Sequence, residues 1–337
     1  MAVMTDIRKV VTILVPAYNE ESSILPLYLR LRELTSNEPS YDFTFLFVND
    51  GSTDKTGIRL REIARNDSRV EILELSRNFG KEVAVVAGLD YSSGDALVIL
   101  DADLQHPPEL IPKMVRLWED GNKDVFARRN SRTGESWFKR FGTGWYYRML
   151  KRATNIEIYA DAGDFRLLDK ECVHALRSLR EHERNNKALY AWIGFQKAEF
   201  TYDAESRKVG SSTWNYFKLL ELAINGLTSF TAFPLRISAM LGFIASLAAA
   251  VYLIYLVGTT LLFGTDMSGF PTIVSLILFF GGVQLLSLGI IGEYLGKVFF
   301  EVKERPLYLV SDFHKQHDTA SEEEEGAGEM TASSSEC

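Results

Sequence analysis

Ala96-Leu-Val-Ile-Leu-Asp101-Ala-Asp103-Leu-Gln105 is the stretch that decides the fold. An unbroken apolar run leads into two carboxylates spaced i, i+2. A run of this kind fits a strand buried on both faces, as in a parallel sheet, because a strand with one wet face would alternate apolar and polar residues. Upstream, Val10–Val15, Thr44–Asn49 and Val70–Leu75 have the same character. Between these runs, Ser22–Ser36, Asp54–Asn66, Lys81–Tyr91 and Pro108–Asp120 carry helical periodicity, with Ser52 and Asp54 placed to cap the second helix. Strand and helix in alternation predict an α/β domain around a mostly parallel sheet. In such sheets ligands bind outside the carboxyl ends of the strands, where Asp101 and Asp103 stand.

The rest of the chain is of another kind. Over its 337 residues 46% are hydrophobic and 24% charged, and the mean hydropathy is -0.04. Those averages describe a soluble protein, but they conceal two segments without a charged side chain, Ile237–Phe263 and Pro271–Gly292. Each is long enough for the roughly 20 residues that cross a ~30 Å hydrocarbon core. Arg236 precedes the first, Lys297, Lys303 and Arg305 follow the second, and Asp266 is the one charge between them. That bias places both termini and the α/β domain on the cytoplasmic side. Trp214, Phe217, Leu220, Ile224 and Leu227 recur at helical spacing just before the first span and predict an amphipathic helix on the membrane surface. Trp137–Thr154, rich in basic and aromatic residues, is expected to face anionic headgroups or a lipid phosphate. The predicted organisation is therefore an α/β domain over 1–212, an interfacial helix over 213–235, and a transmembrane hairpin over 236–311. Its spans fall at about 237–263 and 272–298, and a disordered acidic tail covers 312–337. Glycines in the second span (Gly281, Gly282, Gly289, Gly292) permit close helix packing and a homo-oligomer.

The net charge of -8 is largely a property of the tail. Asp318, Glu322, Glu323, Glu324, Glu325, Glu329 and Glu336 supply seven of the 45 acidic residues, and what remains nearly balances the 37 Lys and Arg. No basic face for nucleic acid is indicated. Cys172 and Cys337 make no metal-ligand spacing and fit a reduced compartment. The opening residues Met1–Lys9 are too polar and short to read as a signal peptide. Two nucleotide-binding families are excluded by their loops: no G-x-G-x-x-G follows the first strand, and Gly80-Lys81 lacks the remainder of a P-loop. Asp101 and Asp103, at the end of a buried strand, can both reach one hard cation such as Mg²⁺ or Mn²⁺, which takes few protein oxygens and completes its shell with water and phosphate.

Pro16-Ala-Tyr-Asn-Glu20, Asn49-Asp50-Gly-Ser-Thr-Asp54 and Asp101-Ala-Asp103-Leu-Gln105-His-Pro-Pro-Glu109 resemble the motifs of family 2 glycosyltransferases with a GT-A, Rossmann-like fold. Asp161-Ala-Gly-Asp164-Phe-Arg166-Leu, Gly289-Ile-Ile-Gly-Glu-Tyr-Leu-Gly-Lys297 and Lys303-Glu-Arg-Pro-Leu-Tyr-Leu309 narrow the likeness to polyprenyl-phosphate hexosyltransferases. That group contains bactoprenol glucosyltransferases and, more distantly, dolichyl-phosphate mannose synthases. The resemblance spans roughly residues 10–311.

By that resemblance Pro16, Tyr18, Glu20, Asp50 and Ser52 hold the base and ribose of a nucleotide diphosphate sugar. Asp101, Asp103 and Gln105 surround Mg²⁺ or Mn²⁺, and Arg129, Arg132 and Arg207 meet the phosphates with planar guanidinium forks. Asp164 is implied as the catalytic carboxylate with Asp103, and Lys139, Arg140, Arg166 and Ser212 as the acceptor side. The chain departs from the family at Thr213, where a lysine is usual; Lys208 stands nearby. The implied reaction is inverting transfer of one hexose, glucose first, from a UDP-sugar to a polyprenyl phosphate at the cytoplasmic face. Transfer from GDP-mannose is the rival donor chemistry. A processive polysaccharide synthase would need more spans and a Gln-x-x-Arg-Trp signature, absent here. A membrane scaffold that senses nucleotide sugars is the non-enzymatic rival.

Overall fold

The computed structural model describes residues 8–129, 162–182, 184–202, 233–263 and 269–315. Strands β1 (Lys9–Ala17), β2 (Tyr41–Asn49), β3 (Val70–Leu75) and β4 (Ala96–Ile99) alternate with helices α1 (Ile24–Ser36), α2 (Thr56–Asn66) and α3 (Lys81–Tyr91). A 3₁₀ turn (Pro108–Leu110) and α4 (Ile111–Glu119) lead to β5 (Asp124–Arg129). Next come β6 (Ala162–Asp169), α5 (Lys170–Ser178), α6 (Asn186–Trp192) and β7 (Lys197–Tyr202). Two long helices, α7 (Phe233–Phe263) and α8 (Phe270–Val302), precede a last strand, β8 (Val310–His314).

The eight strands form one sheet in the order β7-β5-β6-β4-β1-β2-β3-β8. β1 pairs in parallel with β2 and β4, β2 with β3, and β5 with β7; β6 runs antiparallel to β4 and β5, and β8 to β3. The expected α/β architecture with a mostly parallel sheet is what forms. Val11, Ile13 and Val15 of β1 join Phe43, Phe45 and Phe47 of β2 in a core covered by Leu27 and Leu31 of α1, Leu60 of α2 and Met114 of α4. Burying each such side chain contributes about 1.5–3 kcal/mol relative to leaving it in water. Leu14 faces the other way, toward α3. There a Cβ on Gly88 would lie 2.1 Å from Leu14 Cδ1, so this glycine lets the helix close onto the strand.

Asp54 serves α2 as expected, its Oδ1 accepting from the Thr56 N–H at 2.9 Å, whereas Ser52 turns away to Asn19. The predicted tail needs correcting at its start. Val310–His314 pairs with the open edge of β3, and the Leu309 carbonyl accepts from the Ser76 N–H at 2.9 Å. Unsatisfied edge groups are sufficient cause for a short polar segment to become a strand, and apolar periodicity does not reveal it. The rest of the tail, the interfacial helix predicted at 213–235 and the basic segment Trp137–Thr154 lie outside the described residues.

The chain divides into two units, one holding the sheet and its helices and the other holding α7 and α8. These helices have 31 and 33 residues, or roughly 46 and 50 Å at the usual rise. Among the described residues one segment, Phe279–Val302, is long and apolar enough to cross a membrane by length and composition.

Candidate active site

β1, β2 and β4 end on the same side of the sheet, and a cleft of about 280 Å³ opens there. Pro16, Tyr18, Glu20, Asp50, Asp101 and Asp103, all singled out in the sequence, line it together with Asn78, Gly80 and Lys81. The turns after β1 and β2 are laced to each other. Asn19, at φ 56°, accepts the Thr53 N–H on Oδ1 at 2.8 Å, and Ser52 Oγ accepts the Asn19 N–H at 3.0 Å. The Glu20 N–H donates to Thr56 Oγ1 at 2.8 Å, and Ser23 Oγ donates to Glu20 Oε2. Ser52 thus shapes the rim and does not line the cleft.

Asp50 is only 2% exposed. Its two oxygens accept the N–H groups of Phe79 and Gly80 at 2.7 and 2.9 Å, which fixes the start of α3. Gly51 makes this turn possible. It sits at φ 63°, and a Cβ there would lie 2.4 Å from the Arg77 carbonyl carbon.

At the end of β4 the antiparallel register Ile99↔Arg166 carries on to set Asp164 across from Asp101. Lys81, the first residue of α3, joins them. Its Nζ donates to Asp101 Oδ2 at 2.9 Å and Asp164 Oδ2 at 2.7 Å, and lies 2.7 Å from Asp101 Oδ1 without hydrogen-bond alignment. Burial pushes the Asp101 carboxyl up, but His106 and Lys81 more than reverse this and hold it down at about 2. His106 Nε2 stands 3.7 Å from Asp101 Oδ2, beyond hydrogen-bond length, so the Lys81 contact is the firmer of the two. His106 itself is held by Tyr202 Oη at 2.7 Å and stacks on Phe165. The two carboxylates also raise the Lys81 ammonium's pKa against the effect of its burial. Neighbouring Glu82 is raised by burial and then by the charge of Asp164.

Asp164 Oδ1 is buried without a hydrogen-bond partner, and Asp101 Oδ1 meets only the misaligned Lys81 ammonium. A carboxylate oxygen left so in a cleft calls for a cation or donor from a ligand. Among the described residues no three His, Cys, Asp or Glu converge as a metal cage. What is present suits a hard ion held by one or two carboxylates and completed by phosphate oxygens. Gln105, expected beside the metal, donates its N–H and Nε2 to Asp103 Oδ1 and Oδ2 at 3.1 and 2.7 Å, which orients Asp103.

Arg166 has to be reassigned. It is 3% exposed, its Nη1 lies 3.1 Å from Asp124 Oδ2, and its guanidinium sits 3.7 Å over the Tyr190 ring. With its charge enclosed between Asp124 and Tyr190, it is a structural ion pair and not an acceptor ligand. Arg129 closes β5 beside Tyr202. Arg132, Lys139, Arg140, Arg207 and Ser212 lie outside the described residues. Lys81 and His106 are the site residues that motif reading passed over. The available signal for Lys81 is a lysine opening a helix directly after Gly80, in the loop that follows the third strand. A larger cavity of about 580 Å³ lies by Thr12, Ser93 and Arg177, at the start of β4, away from these carboxylates.

A mostly parallel α/β sheet with a carboxylate-lined cleft at its strand ends is the architecture expected of a GT-A-like sugar-transfer domain. Residues 12–177 match the family described as Glycosyl transferase family 2. An uncharacterized glycosyltransferase of Synechocystis sp. is 45% identical over 302 residues, covering 89% of this chain and 94% of that one. The bactoprenol glucosyl transferase of Shigella phage SfII is 37% identical over 305 residues, covering 90% and 98%. The crystal structure of S. aureus TarS 1-349 aligns with a TM-score of 0.40 at 16% identity, over 58% of this chain and 59% of that one. The chain belongs to glycosyl transferase family 2, and it is a glycosyltransferase.

Proposed function

We propose that the protein transfers one glucose from UDP-glucose to a polyprenyl phosphate at the cytoplasmic face of a membrane, inverting the anomeric carbon. The observation that carries this reading is the juxtaposition of Asp101 and Asp164, both within reach of one cation, at the strand ends of a family 2 domain. The lipid acceptor is supported by the relative named for glucosyl transfer to bactoprenol, which this chain matches over 98% of its length. The two charge-free segments support an integral membrane protein, with spans at about 237–263 and 272–298. The glycines of the second segment support a homo-oligomer.

In this reading Tyr18 and Glu20 border the base and ribose, and Asp101 and Asp103 hold Mg²⁺ or Mn²⁺. When bound, the ion supplies neutralising charge to the leaving diphosphate. An acceptor phosphate oxygen attacks the anomeric carbon as its bond to the diphosphate breaks, and the electron pair leaves on the diphosphate. Asp164 orients the acceptor and takes the residual proton of a monoanionic phosphate. Arg129, Arg132 and Arg207 are assigned to phosphate, and Lys139, Arg140 and Ser212 to the acceptor.

The test is transfer of radiolabelled glucose from UDP-glucose to undecaprenyl phosphate by the detergent-solubilised chain, with Mg²⁺ and then with EDTA. Label extractable into organic solvent with Mg²⁺ and lost with EDTA is the expected result. Label from GDP-mannose alone would replace the donor. Silence with every donor, together with nucleotide-sugar binding that Asp103→Ala leaves unaltered, would overturn the enzyme in favour of a nucleotide-sugar sensor.

A further inference from the structure

Lys81 has no part in the reaction as set out above, yet its ammonium occupies the oxygens a metal would need. It contacts both oxygens of Asp101 and Oδ2 of Asp164, all within 2.9 Å. A divalent ion on Asp101 competes for those lone pairs and repels the ammonium. The backbone beneath Lys81 is anchored, because Asp50 accepts the N–H groups of Phe79 and Gly80. The side chain is nonetheless 44% exposed and borders the same cleft as Tyr18 and Asp103, so its four-carbon stem can swing without moving the helix.

We propose that Lys81 is a built-in counter-cation. It closes the Asp101–Asp164 pair while the cleft is empty, and an incoming nucleoside diphosphate draws it onto phosphate oxygens and opens the pair to the divalent metal. Metal and nucleotide therefore bind cooperatively, and each tightens the other by the same factor. This rests on the reading in which Asp101 holds the metal.

The experiment titrates Mn²⁺ into the purified full chain in detergent, following free Mn²⁺ by electron paramagnetic resonance, alone and with saturating UDP or GDP. The wild-type chain is expected to bind Mn²⁺ about tenfold more tightly with nucleotide, and nucleotide about tenfold more tightly with Mn²⁺. Lys81→Met and Lys81→Gln should bind Mn²⁺ alone at least about fivefold more tightly than wild type and show a smaller nucleotide effect. Lys81→Arg keeps the cation and should bind Mn²⁺ alone as weakly as wild type. If both neutral variants bind Mn²⁺ alone no better than wild type while still binding it with nucleotide, the counter-cation is overturned and the metal reading stands. An arginine variant that binds like the neutral ones overturns it as well. No Mn²⁺ bound by any of these proteins with either nucleotide overturns both.

Discussion

The protonation state of the acceptor phosphate limits what Asp164 contributes as a base. A phosphate monoester with a second pKa near 6 is mostly dianionic at neutral pH and seldom needs a base. At pH 6 a large fraction still carries its proton, and at pH 8 almost none does. Asp164→Asn is therefore expected to lose at least about threefold more activity at pH 6 than at pH 8, as initial-rate assays at both values would show. An equal loss at both would leave Asp164 with orientation alone. Arg166 behaves differently because it is enclosed with Asp124, both side chains being at most 3% exposed. Removing one partner of such a pair strands the other charge, so Arg166→Met should cost about 3–5 kcal/mol in chemical unfolding. Arg166→Met with Asp124→Leu should recover most of that loss, since neither charge is then buried alone. A raised acceptor KM with unchanged stability would return Arg166 to the acceptor site.

At the scale of elements, β8 is the piece whose removal is most informative. The chain from Pro306 to Lys315 is fixed to the sheet unit by its β3 ladder, by Tyr308 Oη donating to Asp90 Oδ2 at 2.7 Å, and by a Lys315–Glu71 ion pair at 3.1 Å. A chain ending at Gln316 should melt with the wild-type protein. One ending at Arg305 should melt roughly 5–10 °C lower and aggregate, because the β3 edge is then open to other chains. Equal melting of the two would show that β8 adds nothing to the sheet. The ease of reading each element follows its physics. β1 to β4 and the helices between them are legible because strands buried on both faces are forced into unbroken apolar runs, and Val70–Leu75 and Lys81–Tyr91 match to the residue. β8 depends on backbone pairing and was not legible. The motif residues Pro16, Asp50 and Asp101 could be placed because each ends or follows a strand. Lys81 became visible only through the fold, which brings α3 to Asp101 and Asp164 across 20 and 83 residues of sequence.

For the whole molecule, the side of the membrane on which each segment lies decides which substrates it can meet. A nucleotide sugar is made and kept in the cytoplasm, so the α/β domain must lie there for the proposed donor to reach Asp101. The flanking Arg236, Lys297, Lys303 and Arg305 predict this arrangement, with residues 264–271 on the opposite side. The two cysteines allow a direct test. Cys172 is buried, and burial together with the charge of Asp124 and Asp169 pushes its thiol up to about 12, which keeps it unreactive toward maleimide near neutral pH. Cys337 then reports one side, and a cysteine introduced by Ser268→Cys reports the other. In intact cells a membrane-impermeant maleimide should label Ser268→Cys, while Cys337, tested in the unaltered chain, should react only after permeabilisation. Labelling of Cys337 from outside would put that terminus on the far face and break the link between the charge bias and the proposed donor. Protection of Ser268→Cys in intact cells and its labelling on lysis would mean that the α7–α8 segment does not cross the membrane. The acceptor lipid would then have to be reached from one leaflet by a surface-bound enzyme.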